Sequence, residues 1–197
     1  MNPKKLLITG FDPFGGETIN PSWEAVKALP DVIGGWQLTK LEVPTVFGKA
    51  GETVLAAAAQ LQPDAVLCVG QAGGRAAITP ELVAINLRFG RIADNAGAAP
   101  VDEPVAADGP AAYFSTLPVR AMAQAITDAG LPGQVSYSAG AFVCNDLLYT
   151  VLHHYAGTPV RAAFIHVPFL PQQAAEGVPG MTLQDIQKGL CAAIAVM

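Results

Sequence analysis

The chain has 197 residues, 51% hydrophobic and 14% charged, with a net charge of -5. Such a chain can offset its conformational entropy by burial, which excludes a disordered polymer and allows one compact domain spanning residues 1–197. The 11 Lys and Arg residues are scattered, so no basic stripe is available to phosphates and nucleic acid is not expected as a partner. No apolar run reaches the roughly 18 residues of a membrane helix, and Lys4 and Lys5 lead into a short strand rather than an export signal. A membrane is therefore not expected either. Cys68, Cys144 and Cys191 form an odd count at wide spacing, which fits neither a disulfide framework nor a zinc site and points to a reducing, cytoplasmic setting.

Short apolar runs alternate with helical patterns, the mark of a layered α/β fold with a central sheet. Lys5 to Thr9 reads as the first strand, followed by the turn-rich FDPFGGETIN loop and a helix over Ser22 to Leu29 that starts just after Pro21. Leu38 to Val43 is a second strand. The Ala-rich segment from Phe47 to Leu61 is a helix closed by Pro63, and Ala65 to Val69 is a buried strand running into the flexible turn GQAGGR. An alternating segment, Leu82 to Leu87, predicts a strand at one edge of a site. The long Pro-, Asp- and Gly-rich stretch from Arg91 to Pro110 is expected to be a lid or a subunit contact. Beyond it come a helix over Val119 to Ala129 ended by Gly130, a short strand near Val135 to Tyr137, and a helical period beginning at Cys144. Ala162 to Val167 predicts a last core strand stopped by Pro168, and Thr182 with Asp185 predicts a cap for the C-terminal helix.

Three of these positions carry chemistry. Cys144 follows a run of small residues at a helix start, where the partial positive charge of the helix favours a thiolate, whereas Cys68 and Cys191 sit inside apolar patterns and read as small core residues. His166 lies at the C-terminal end of a predicted strand, where α/β folds place their sites. Taken alone it reads more readily as a hydrogen-bonded core histidine. Glu81, between a glycine-rich turn and a strand, can serve as the acceptor that fixes an imidazole tautomer; alone it is a surface carboxylate. His153 and His154 fall on a helix surface. The pairs Gly15–Gly16 and Gly73–Gly74 lack the spacing of a phosphate loop.

In order along the chain, GFDPFGGETINPSWEAV, GQAGGRAAITPELVAIN, RIADN with VDEP, SAGAFVCND and FIHVPFLP resemble the pyroglutamyl-peptidase I family of cysteine peptidases, over essentially the whole chain. The resemblance implies an α/β/α sandwich around a twisted, mixed and mostly parallel sheet, and a cytoplasmic homotetramer without metal or cofactor. It also implies peptides with an N-terminal pyroglutamate as substrates, released through a thioester acyl-enzyme. Glu81, Cys144 and His166 take the positions of the family's triad. Phe11, Phe14 and Phe142 match the rings that hold the lactam, and main-chain groups near Gln71 and Phe142 would bind its amide. A flat, uncharged lactam calls for such an apolar slot with few polar groups. Arg91 is assigned to the oxyanion, or else to a salt bridge anchoring its loop. Three departures stand out: Leu82 where the family usually has Arg or Lys, Ala141 in place of Thr, and Gln172 in place of Glu. Two other readings stay open from the residues: an amidohydrolase of different acyl specificity, and a silent assembly protein that keeps only the fold.

Overall fold

The structure, a computed structural model, describes residues 3–197. In chain order its elements begin with β1 (Lys4–Phe11), α1 (Pro21–Lys27), β2 (Val32–Ile33), β3 (Trp36–Val43), α2 (Lys49–Leu61), β4 (Ala65–Gln71) and β5 (Thr79–Glu81). They continue with β6 (Val83–Ile85), β7 (Ala112–Phe114), α3 (Val119–Asp128), α4 (Val143–His154), β8 (Arg161–Val167) and α5 (Leu183–Ala195). The main sheet runs β2-β3-β1-β4-β8-β5. Its four inner strands are parallel, and an antiparallel strand closes each edge.

The inner strands are almost continuously apolar because both faces of a parallel sheet are covered. Side-chain alternation sends Leu6, Ile8, Leu67, Val69, Ala163 and Ile165 into one core layer, where α1, α3 and α5 contribute Val26, Met122, Ile126, Ile186 and Leu190. The intervening residues Leu7, Val66, Cys68, Ala162 and Phe164 join Val54, Ala58, Leu147 and Leu148 of α2 and α4 on the other side. This is the α/β/α sandwich that the resemblance implies, and its period-2 register decides which helix each strand residue meets.

Local signals set the helix ends. The Asn20 side chain accepts from the Ser22 N–H, with Pro21 in the first turn of α1, where a missing N–H costs nothing. Helix α3 stops before Gly130, whose φ of 81° suits the left-handed residue that ends many helices.

Three elements depart from expectation. The alternating run after residue 81 is not one strand: Glu81 ends β5 in the main sheet, and Val83–Ile85 pairs with β7 in a separate two-stranded sheet. The Leu82 N–H bonds the Ser136 carbonyl, which turns the chain out of the main sheet at that point. The strand expected near Val135 is reduced to isolated bridges, Ile78 with Gly133 and Glu81 with Ser136. Finally, β2 is only two residues long, too short for any periodicity to reveal.

Thr182 Oγ1 accepts from the Asp185 N–H at 3.1 Å and donates to the Asp185 carboxylate at 2.8 Å. Thr182→Ala should cost about 1 kcal/mol and lower Tm by about 2–4 °C in calorimetry. An unchanged Tm would show that the cap does not hold α5 in place.

Candidate active site

Cys144 is the second residue of α4, which starts immediately after the SAGAF turn; Gly140 there has φ +78°, a conformation that favours glycine. The first N–H groups of a helix have no carbonyl in a preceding turn to bind, so they face outward beside the sulfur. Two buried polar residues hold this helix start. Asn145 acts as a strand surrogate, accepting from the Ile85 N–H at 2.9 Å and donating to the carbonyls of Ile85 and Leu87, each at 2.9 Å. Asp146 accepts from the Gly48 N–H and is paired with Arg88. The sulfur is thus fixed through β6 and through the start of α2.

His166 occupies the same face of β8 as Ala162 and Phe164, the face covered by α4. Its register partner in β4 is Gly70. A Cβ added to Gly70 would lie 3.0 Å from Cys144 Sγ and 2.6 Å from the tip of the Phe164 ring. The sulfur therefore rests on bare backbone beside the imidazole, a place open to it only because residue 70 has no side chain. On the other flank, antiparallel β5 sets Thr79 opposite His166 and Glu81 opposite Phe164. The diagonal pair closes a hydrogen bond of 2.7 Å between His166 Nδ1 and Glu81 Oε1.

The same oxygen accepts from Arg75 at 2.8 Å, and Arg75 also donates to Thr79 Oγ1 at 2.7 Å and to the Ser138 carbonyl at 3.1 Å. Ser136 lies close enough to favour the carboxylate, yet its hydroxyl is turned to the Ser138 carbonyl at 3.2 Å, leaving Glu81 Oε2 without a partner among the described residues. Burial acts to raise the Glu81 carboxyl pKa, but the hydrogen bond and charge of His166, the nearby Ser136 hydroxyl and the bond from Arg75 bring it below the usual value. Burial holds His166 below its ordinary range, against the pull of Glu81 and with help from Arg75. At neutral pH the ring is therefore neutral, Nδ1–H donates to an ionised Glu81, and Nε2 is left as a base. Burial pushes the Cys144 thiol up to about 12, reinforced by the Glu81 charge, with Arg75 and the helix-start N–H opposing. In this state the cost of burying the charge outweighs the helix-terminus effect, so the resting sulfur is a thiol rather than the thiolate that its position suggests.

Aromatic rings gather around Phe142, two residues before Cys144. Phe142 packs against Phe14 at 5.3 Å and edge-on against Phe47 at 5.0 Å. Phe14, Phe47 and Phe142 are partly exposed, whereas Phe11 is buried against Phe164 and backs the wall rather than facing solvent. Asp12 joins the loops that carry these rings. Its Oδ1 accepts from the Thr45 N–H and hydroxyl, each at 2.7 Å, and from Asn95 at 3.2 Å. Gln71 ends β4 and accepts from Gln173 at 3.3 Å.

Glu81 and His166 are therefore bonded to each other, Cys144 lies on the neighbouring strand position, and Phe14 and Phe142 are in contact. Arg91 is exposed and forms no hydrogen bond or ion pair among the described residues, so the salt-bridge anchor is not seen. Nothing local in the sequence marks Phe47 or Arg75 as a site residue. Arg75 sits in a glycine-rich turn whose spacing matches no phosphate loop, and its value appears only when the turn folds back on β5. It also supplies a cation beside Glu81, the charge that Leu82 lacks; Leu82 instead packs against the core.

An α/β/α sandwich presenting a thiol at a helix start, a neutral imidazole and a buried carboxylate defines the class of cysteine hydrolases. The family model for pyroglutamyl peptidase matches residues 4–197. The chain is 58% identical over 194 residues to the pyrrolidone-carboxylate peptidase of Levilactobacillus brevis, covering 96% of this chain and 95% of that one. It is 56% identical over 193 residues to that of Vibrio vulnificus, covering 95% and 89%. The crystal structure of Bacillus amyloliquefaciens pyroglutamyl peptidase I superimposes with a TM-score of 0.95 at 47% identity, covering 98% of this chain and 96% of that one. The pyrrolidone carboxyl peptidase of Thermococcus litoralis gives 0.93 at 36% identity, covering 98% and 92%. This chain belongs to the pyroglutamyl peptidase family.

Gly70→Ala should destabilise the protein by about 1–3 kcal/mol in urea unfolding, because its methyl must displace Phe164 or the sulfur. A wild-type urea midpoint would mean that β4 has room for a side chain there.

Proposed function

We propose that this chain hydrolyses the bond following an N-terminal pyroglutamyl residue, with Cys144 as nucleophile, His166 as general base and acid, and Glu81 as the group that fixes the imidazole. The observation that carries the reading is the His166–Glu81 hydrogen bond beside a sulfur lying on Gly70. His166 Nε2 takes the thiol proton as sulfur attacks the pyroglutamyl carbonyl, and returns it to the departing amine. The oxyanion is stabilised by the N–H groups at the start of α4, so no role is required of Arg91. Water, deprotonated by the same nitrogen, then cleaves the thioester and releases pyroglutamate.

Phe14 and Phe142 form the walls of the lactam slot, with Phe11 behind and Phe47 bracing Phe142; main-chain groups near Gln71 and Phe142 bind the ring amide. The slot favours an uncharged head group, because none of the four rings can compensate an ammonium by ion pairing. The homotetrameric state is supported by large apolar side chains left in solvent: Phe114 is 69% exposed, Val101 64% and Tyr137 63%. Three free cysteines support a reducing cytoplasm. Both core layers share one sheet, which supports reading residues 1–197 as one catalytic unit.

A pyroglutamyl conjugate of a fluorescent amine should be cleaved and the free glutamyl conjugate should not; equal cleavage of both rejects the slot. Cys144→Ala should lower turnover by several orders of magnitude with folding intact, and persistent turnover rejects the nucleophile. Because burial holds His166 below about 6.5, kcat/KM should stay level down to that pH and fall only at lower pH, as the base is protonated. An acid limb centred above it would contradict a neutral resting ring.

A further inference from the structure

We infer that Arg75 is a positioning residue of the triad: its guanidinium fork holds the Glu81 carboxylate in the plane of the imidazole and ties that carboxylate to the loop that delivers the nucleophile. This rests on the reading of Glu81, His166 and Cys144 given above.

The geometry is that of a brace. One guanidinium nitrogen of Arg75 donates to Thr79 Oγ1 and to Glu81 Oε1, and the other donates to the Ser138 carbonyl. Thr79 and Glu81 lie on the same face of β5, flanking His166 of β8, while Ser138 opens the segment that ends at Cys144. A single planar group thus spans the strand of the carboxylate and the approach to the sulfur, with a fixed angle between its two donors. Glu81 is fully buried with one carboxylate oxygen unpartnered, so among the described residues Arg75 and His166 provide the only hydrogen bonds that fix the direction of its carboxylate. The His166 bond alone cannot do so, since the ring can rotate with it.

The charge matters as well as the shape. Arg75 from the Gly-rich turn acts on both members of the pair, Ser136 lies beside Glu81, and Cys144 from α4 feels the Glu81 charge, so Arg75 is the only permanent cation among them. The guanidinium favours carboxylate, thiolate and neutral imidazole together. Each of these is the form the reaction uses. Leu82, the next residue along, contributes no charge, which leaves this task to Arg75.

The test uses the full chain with Arg75→Met, which keeps the stem and removes fork and charge, and Arg75→Lys, which keeps charge without the fork. With the pyroglutamyl conjugate, Arg75→Met should lose about tenfold to a hundredfold in kcat with KM nearly unchanged. Its acid limb should move up by about one pH unit, as His166 loses a neighbouring cation. Arg75→Lys should return the acid limb toward wild type while kcat stays low. Alkylation of Cys144 by iodoacetamide at one neutral pH should slow in Arg75→Met, a readout independent of substrate.

Wild-type kcat and acid limb in Arg75→Met, or a loss confined to KM, overturn the inference. Should Arg75→Met not fold, Arg75→Lys decides: a reduced kcat supports the brace, and a wild-type kcat overturns it. If the parent reading fails, the signature is different: the wild type releases no amine, or Cys144→Ala retains turnover, and the inference falls with it.

Discussion

One buried oxygen, Glu81 Oε1, receives both the imidazole of His166 and the guanidinium of Arg75, and much of the surrounding architecture is needed to keep that meeting in place. A carboxylate with no exposure is expensive unless its charge is answered on the spot. The sheet answers it by bringing a short antiparallel strand against the last parallel one, so that the side chain reaches its partner diagonally. A slip of one residue in that pairing would turn Glu81 to the opposite face. Pro80 is tolerated in β5 because the strand lies at the edge of the sheet.

Sulfur and imidazole come from different layers, the first from a helix end and the second from a strand end, and each is built independently. The strand end follows from the register of β4 and β8, which puts Gly70 alongside His166. The helix end follows from Asn145 and Asp146, whose buried side chains bond backbone as a neighbouring strand would. The two meet at the C-terminal ends of the parallel strands, where an open α/β sheet leaves a crevice. Burial then decides the resting protonation, because a thiol and a neutral ring need less solvation than an ion pair.

The inner strands were legible because KLLIT, AVLCV and AAFIHV are apolar runs bounded by turn residues, and the burial that makes them strands also makes them conspicuous. Helices α2 and α4 were legible from their periodic faces. The segment around Glu81 was not, since three residues ending in a carboxylate carry no period, and the break at Leu82 is set by a backbone bond to Ser136, far along the chain. Cys144 and His166 stand out by their chemistry in a suggestive local context, whereas only the family resemblance joins them to Glu81. Arg75 had no local signature, because its three acceptors are brought together only by tertiary folding. Phe47 read as part of a helix start, and its place against Phe142 is equally a product of packing.

Asp12 gathers Thr45 and Asn95 onto one oxygen, and with them three segments that are remote in sequence: the Phe14 loop, the turn before α2 and the long irregular stretch after β6. Segments pinned at a common point cannot drift apart singly. The aromatic cluster is therefore held in a stiff frame, and a push on any one of these segments is shared by the other two instead of prying open the weakest.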